Sequence, residues 1–243
     1  VQVRRFHLPE IPETGACVTL PVEEARHAAK VLRLRVGDGL VLLDGRGSRA
    51  DAVVDTMDAG RRPEVLCRIV NRDAVAEPEL KLRLYVAPPR GKTAALVLRA
   101  AVELGVWRIT PILCQFGVAK PDGDKASWHA ELVTAIKQSG NAFLPVLDTP
   151  LAFADALANA DEPAVFGAVP RMAGAPPAPL PSSGELGVWI GPEGGFSEGE
   201  EDALYERGFL PLTVGRWILR VETAVPALLG HVLGQAGGRA TET

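Results

Sequence analysis

The chain has 243 residues, 47% hydrophobic and 23% charged, with a net charge of −4. That balance is that of an ordinary globular protein and excludes a disordered or collagen-like chain; no apolar run approaches the roughly 18 residues of a membrane span. The mild acidity also argues against a general nucleic-acid binder.

Residues 1–73 hold 12 Lys/Arg against 11 Asp/Glu, and residues 74–243 hold 14 against 19. The excess of acid is therefore confined to the second part. The first part reads as short strands at 3–7, 17–20, 40–43, 49–55 and 65–70, separated by turns at Gly37-Asp38-Gly39, Asp44-Gly45-Arg46-Gly47 and Ala59-Gly60. Strands at that spacing predict a small barrel. One helix interrupts them at about 23–34, with Pro21 at its first turn and Ala28, Val31 and Leu32 on one face. Arg26, Lys30 and Arg33 are spaced by four and three, so they project from one side. That stripe suits RNA phosphates, with a salt-bridged surface helix as the competing account.

Residues 74–79, with Pro78, read as a linker. Strands and helices then alternate: strand 80–87, helix 93–104 with Leu96, Ala100 and Leu104 on one face, and strand 108–114. Next come helix 127–139 with Trp128, Leu132 and Ile136 in line, a helix begun by Thr149-Pro150, strand 165–169 and a loop at 173–183. Strand 186–190, helix 197–206, strand 210–214 and helix 222–234 complete the pattern. Such alternation predicts an α/β domain with a mostly parallel sheet.

Cys17, Cys67 and Cys114 are odd in number and form no CxxC pair, which suits small buried hydrophobes in a reducing cytoplasm. The four histidines lack ligand spacing, so no metal is expected. Residues 1–5 contain no apolar leader core, and the expected location is the cytoplasm. Arg90-Gly91-Lys92-Thr93 looks like the tail of a phosphate loop, but Pro88 and Pro89 remove the N–H donors that such a loop needs.

Two stretches carry the chemistry. Trp189-Ile190-Gly191-Pro192-Glu193-Gly194-Gly195-Phe196-Ser197 reads as a strand end, a glycine turn and a helix start, with Ser197 and Glu200 as a capping box. Free backbone N–H groups at a helix N-terminus suit a small polar ligand. Gly215 to Ala224 reads as a second strand, turn and helix start, bringing Arg220 and Glu222 into the turn. Two such turns on one edge of a parallel sheet mark the edge where ligands bind.

GPEGGF-S-x-x-E followed by ILR-x-ETA resembles the RsmE family of 16S ribosomal RNA uridine N3-methyltransferases, in the trefoil-knot (SPOUT) superfamily. The likeness continues in Glu103-Leu104-Gly105-Val106, Gln138-Ser139-Gly140, Leu144-Pro145, Arg5-Phe6 and 26–33, covering nearly the whole chain. It implies a PUA-like RNA-binding β-barrel at 1–73 and a knotted SPOUT-like α/β domain at 74–243, with helices on both faces of its sheet. It also implies S-adenosylmethionine as cofactor, a homodimer, and 16S rRNA in the small ribosomal subunit as partner. The implied cofactor contacts are Phe166, Gly167, Ile190, Gly191, Glu193, Gly194, Gly195, Val214, Gly215, Leu219 and Thr223. Arg220 and Glu222 are the implied catalytic pair, and Arg5, Arg26, Lys30 and Arg33 the RNA contacts. Glu222 and Glu193 have a competing role in stabilising helix N-termini.

Three positions depart from the family pattern: Asn141 and Phe116 where Arg is usual, and Ala95 where Glu is frequent. Lys92, Lys120 and Lys137 are candidates to replace the missing charge. Two other readings stay open: a non-catalytic RNA-binding or assembly factor on the same fold, and a knotted methyltransferase of a different RNA nucleotide.

Overall fold

The computed structural model describes residues 3–118, 125–168 and 179–237. The predicted Val169, the 173–178 part of the predicted loop and Lys120 lie outside the described residues. Two compact units are present: residues 1–77 with 133–144, and residues 78–132 with 145–243. The return of 133–144 to the first unit is a feature that the linear reading did not assign.

The first unit holds strands β1 (Arg5–His7), β2 (Cys17–Thr19), β3 (Gly39–Leu43), β4 (Ser48–Asp58) and β5 (Glu64–Ala74) in the order β1-β3-β4-β5-β2. Only β1 and β3 pair in parallel. Alternate residues of β4 (Ala50, Ala52, Val54) and β5 (Val65, Cys67, Ile69) turn inward onto Phe6 and Leu42. Cys67 is buried as expected; Cys17, contrary to expectation, is exposed.

The predicted helix at 23–34 is shorter and irregular. Pro21 is the N-cap of α1 (Val22–Arg26), which continues as a π-helical turn over His27–Val31. The wider turn rotates the face: Ala28 stays buried while Val31 is exposed. Arg33 follows at φ 52°, beyond the helix, so it does not extend a stripe with Arg26 and Lys30.

The second unit is built on β6 (Leu80–Val86), β7 (Val106–Leu113), β8 (Val146–Leu147), β9 (Leu151–Ala152), β10 (Ala164–Gly167), β11 (Gly184–Ile190) and β12 (Leu210–Leu212). The order is β12-β10-β11-β6-β7-β8, with β9 also on β7, and every pairing is parallel. Parallel order brings the carboxyl ends of β10, β11 and β12 to one edge. β10 lies between the other two, so the two glycine turns belong to strands that are not neighbours.

The helices are α2 (Lys92–Glu103), α3 (Lys125–Ser139), α4 (Phe153–Ala158), α5 (Glu198–Glu206) and α6 (Val221–Gly237). α2 buries Ala94, Val97, Leu98, Ala101 and Val102, spaced for one helical face. The predicted Leu96 face is instead outward. Two apolar stripes were available, and the second is the one that packs in this unit, where α2 lies against α6. α4 begins at Phe153 rather than at Thr149-Pro150, because Leu151 and Ala152 are drawn into pairing with Ile112 and Leu113. On α6, Val225, Leu228, Leu229 and Val232 are buried within this unit, where ordinary core packing accounts for that apolar face.

Among the described residues, no helix is long and apolar enough to cross a membrane, and no group of three or more His, Cys, Asp or Glu could hold a metal ion.

Candidate active site

The edge where β10, β11 and β12 end carries a pocket. Its walls are Gly167-Ala168 at the end of β10, residues 190–196 at the end of β11, Leu212 and the loop after β12, and Val221, Ala224 and Leu228 of α6. Among the described residues, Glu193 is the one titratable side chain on this lining.

The turn after β11 is fixed from both sides. The Gly195 N–H donates to the Pro192 carbonyl at 2.8 Å, and Gly195 has φ +76°. A Cβ at Gly191 would meet the Phe196 nitrogen at 3.1 Å and the Gly195 carbonyl carbon at 3.2 Å, so the turn closes against Gly191 backbone to backbone. Phe196 is buried and packs its ring against Phe153 and Phe166, with centroids 5.8 and 6.4 Å apart. Below them Trp189 stacks on Tyr85 at 4.1 Å. This aromatic block anchors the end of the glycine turn in the core.

The helix after the turn starts with a reciprocal capping box. The Glu200 N–H donates to Ser197 Oγ at 3.3 Å, and the Ser197 N–H donates to Glu200 Oε2 at 2.8 Å. The far wall is held at both ends. Ala168 N–H donates to the Leu212 carbonyl at 3.0 Å, and Thr213 Oγ1 to the Ala168 carbonyl at 3.3 Å. The Arg220 carbonyl accepts from Thr223 N–H at 2.9 Å and Ala224 N–H at 2.7 Å, which opens α6. Residues 215–220 are therefore a loop rather than the strand read there.

A family model described as an RNA methyltransferase domain matches residues 76–233, and one described as an RNA methyltransferase PUA domain matches residues 20–60. The chain belongs to this RNA methyltransferase family. Relatives named ribosomal RNA small subunit methyltransferase E include that of Mycobacterium bovis, 29% identical over 93% of this chain and 90% of the relative. That of Synechocystis is 29% identical over 95% of this chain and 78% of the relative. The RsmE likeness thus runs along nearly the whole chain. A Neisseria gonorrhoeae enzyme of that name, solved bound to S-adenosyl methionine, has 28% identity and a TM-score of 0.83, covering 95% of this chain and 96% of that one. A Legionella pneumophila protein solved with the cofactor SAM has 28% identity and a TM-score of 0.85, covering 96% and 98%. The fold class is accordingly that of these relatives: a PUA domain followed by a SPOUT-like parallel α/β domain.

In this RNA methyltransferase the residues singled out from sequence separate into two groups. Gly167, Ile190, Gly191, Glu193, Gly194, Gly195, Val214 and Leu219 line the pocket together. Phe166, Gly215 and Thr223 do not: Phe166 is fully buried beneath it, edge-on to Tyr205 at 5.1 Å, while Gly215 and Thr223 face solvent. Arg220 is exposed and Glu222 half-buried at the start of α6, off the lining, and no ion pair joins them.

The four arginine and lysine candidates of the first unit differ in how they are engaged. Arg5 Nη1 donates to the Lys137 and Gln138 carbonyls at 3.3 and 3.1 Å, closing the end of α3. Arg26 pairs with Glu23 at 3.4 Å, and Lys30 Nζ donates to the Ala59 carbonyl at 2.8 Å. Arg33 is exposed and makes no side-chain bond among the described residues. Lys137 is engaged by Glu24 at 2.6 Å.

Sequence reasoning missed Ala168, Leu212, Val221, Ala224 and Leu228 on the lining. Leu228 had no local signal; it lies where a Cβ at Gly167 would come within 3.0 Å of its Cδ1, a contact made only in three dimensions. Phe116, noted as a departure, packs beside the turn: a Cβ at Gly194 would lie 3.1 Å from its Cβ.

Proposed function

We propose that this protein methylates N3 of a uridine in 16S rRNA, using S-adenosylmethionine, on the small ribosomal subunit in the cytoplasm. The observation that carries the reading is the pocket closed by the 190–196 turn, Gly167 and the 214–219 loop. The RsmE relatives are named as small-subunit rRNA methyltransferases, and two solved neighbours hold SAM.

The residues present fit such a cofactor. The turn folds back tightly on Gly191, which no side chain could allow, and the backbone of 190–195 so held lines the pocket where an adenosine would lie. Ile190, Leu212, Leu219 and Leu228 supply apolar walls for a flat base. Glu193 supplies a negative charge for the cationic end. When bound, the cofactor supplies an electrophilic sulfonium methyl group.

The chain supplies position and charge. The turn and the loop hold the donor in place, which accounts for a large part of such catalysis. Arg220, always cationic and forked, stabilises the negative charge left on the uracil ring when its N3 proton departs. Glu222, in the first turn of α6, sets the helix N-terminus. Residues 1–73 serve as the RNA-binding barrel and 74–243 as the catalytic domain. Of the four cations singled out in the first unit, Arg33 is the one left unengaged for a phosphate among the described residues, with Arg26 and Lys30 available by exchange of weak surface partners. The working unit is a homodimer, as the family resemblance implies.

The test is methyl transfer from labelled S-adenosylmethionine to small subunits lacking the modification, with nucleoside identification by mass spectrometry. Labelled 3-methyluridine is expected. Label in another nucleoside would overturn the target, and absence of both label and cofactor binding would overturn the enzyme. Sedimentation of the purified protein tests the dimer.

A further inference from the structure

The loop between β12 and α6 presents two large apolar side chains to water. Trp217 is 78% exposed and Ile218 74% exposed, whereas Trp189 of the same unit is fully buried. Both loop side chains also line the pocket. The loop is not a loose tail: Thr213 ties one end to Ala168, and the Arg220 carbonyl ties the other to the first turn of α6. Val214 and Leu219 are half-buried, so only the tip, 215–218, stands out.

Charge says what such a tip suits. Arg216 and Arg220 flank it, both exposed, and neither makes a side-chain hydrogen bond or ion pair among the described residues. An indole face bracketed by two guanidinium groups matches a nucleotide: the base stacks on the ring, and the phosphates meet the cations. A purely apolar partner surface would leave both guanidinium groups to be desolvated without compensation.

We propose that Trp217 is the platform on which the nucleobase presented to the pocket stacks, with Arg216 holding an adjacent phosphate. This rests on the RNA methyltransferase reading above and adds the residue that positions the substrate. Trp217 borders the pocket but turns most of its ring to solvent, so its loss acts chiefly on RNA affinity and far less on cofactor affinity.

The test compares Trp217→Ala and Trp217→Phe with the wild type. The side chain is exposed, so both variants keep the fold. Methyl transfer to unmodified small subunits gives kcat and KM, and calorimetry with S-adenosylhomocysteine gives cofactor affinity. Trp217→Ala is expected to raise KM by roughly 10- to 100-fold, the size of one lost base–aromatic stack. Trp217→Phe is expected to restore most of that, and in both variants affinity for S-adenosylhomocysteine changes far less than KM. A loss of that affinity in Trp217→Ala as large as the rise in KM would assign the indole to the cofactor instead. A dimer that dissociates only in Trp217→Ala would assign it to a second copy. Unchanged KM, or equal losses in both variants, would remove the stack. If the wild type transfers no methyl group at all, the proposed function fails separately. Trp217 is then judged by binding of a labelled uridine oligonucleotide, which Trp217→Ala must weaken and Trp217→Phe must not.

Discussion

The Gln115 backbone N–H donates to Glu200 Oε1 at 2.8 Å, across 85 positions of sequence. The other oxygen of the same carboxylate accepts the Ser197 N–H at 2.8 Å. One side chain therefore joins the segment after β7 to the start of α5, immediately behind the glycine turn. Glu200→Ala is expected to cost about 1–3 kcal/mol, the range for a helix cap and hydrogen bonds to a charged group. Glu200→Gln keeps one acceptor oxygen and should fall between. Urea unfolding measures this, and a variant as stable as the wild type would show that the tie contributes nothing.

Gly191 and Gly195 are sensitive for different physical reasons. At Gly191 the obstacle is backbone at 3.1–3.2 Å, which cannot swing aside. At Gly195 there is open space for a Cβ, but φ is +76°. The two glycines of one turn thus serve separate needs: close approach at Gly191 and left-handed backbone at Gly195. Gly191→Ala should open the turn and abolish binding of S-adenosylhomocysteine. Gly195→Val should cost about 1–2 kcal/mol or more of stability, and Gly195→Asn much less, since Asn tolerates left-handed geometry. Calorimetry and thermal unfolding together check this pattern. Equal effects of Val and Asn at 195 would contradict the strain account.

The order of strands and helices was legible because apolar alternation and glycine turns are local signals. The capping box at Ser197 was read in the same way. Where neighbours in space compete with local preference, the reading failed. Thr149-Pro150 is a good helix start, yet Leu151 and Ala152 pair with β7 instead. The α2 face could not be chosen without knowing that α6 packs against it. The return of residues 133–144 to the first unit and the insertion of β10 between β11 and β12 are matters of topology, on which periodicity is silent. The pocket was half legible. Its glycine turns stood out, while Leu228 arrives from a helix whose apolar face looks like any other.

Burial raises the thiols of Cys67 and Cys114, to about 11 and about 12 from an ordinary 9.0, with Cys17 and Glu200 adding to the respective shifts. The folded chain keeps these protons at a pH where the unfolded chain releases them. Their contribution to stability is therefore complete below pH 9 and is lost as pH rises from 9 towards 11–12. Urea unfolding at about pH 7.5 and about pH 10 should show a loss in the wild type and a smaller one in Cys67→Ala and Cys114→Ala. Equal loss in all three would place the alkaline sensitivity elsewhere.

Arg220 sits at the junction between the pocket loop and α6, with its carbonyl committed to Thr223 and Ala224 and its guanidinium exposed. The backbone role survives substitution, and the charge does not. Arg220→Ala should therefore keep the fold and the affinity for S-adenosylhomocysteine while lowering kcat by about 100-fold or more, as loss of a group that stabilises developing charge does. Arg220→Lys keeps the charge but not the fork, and should recover only part of the rate. Glu222 makes no ion pair with Arg220, so Glu222→Gln should lower stability by up to about 1 kcal/mol through the helix N-terminus and leave the Arg220 effect unchanged. Single-turnover methyl transfer for both single variants and the double variant measures this coupling. Additive effects are expected, and strong coupling would mean that the two side chains work as one unit in the bound complex.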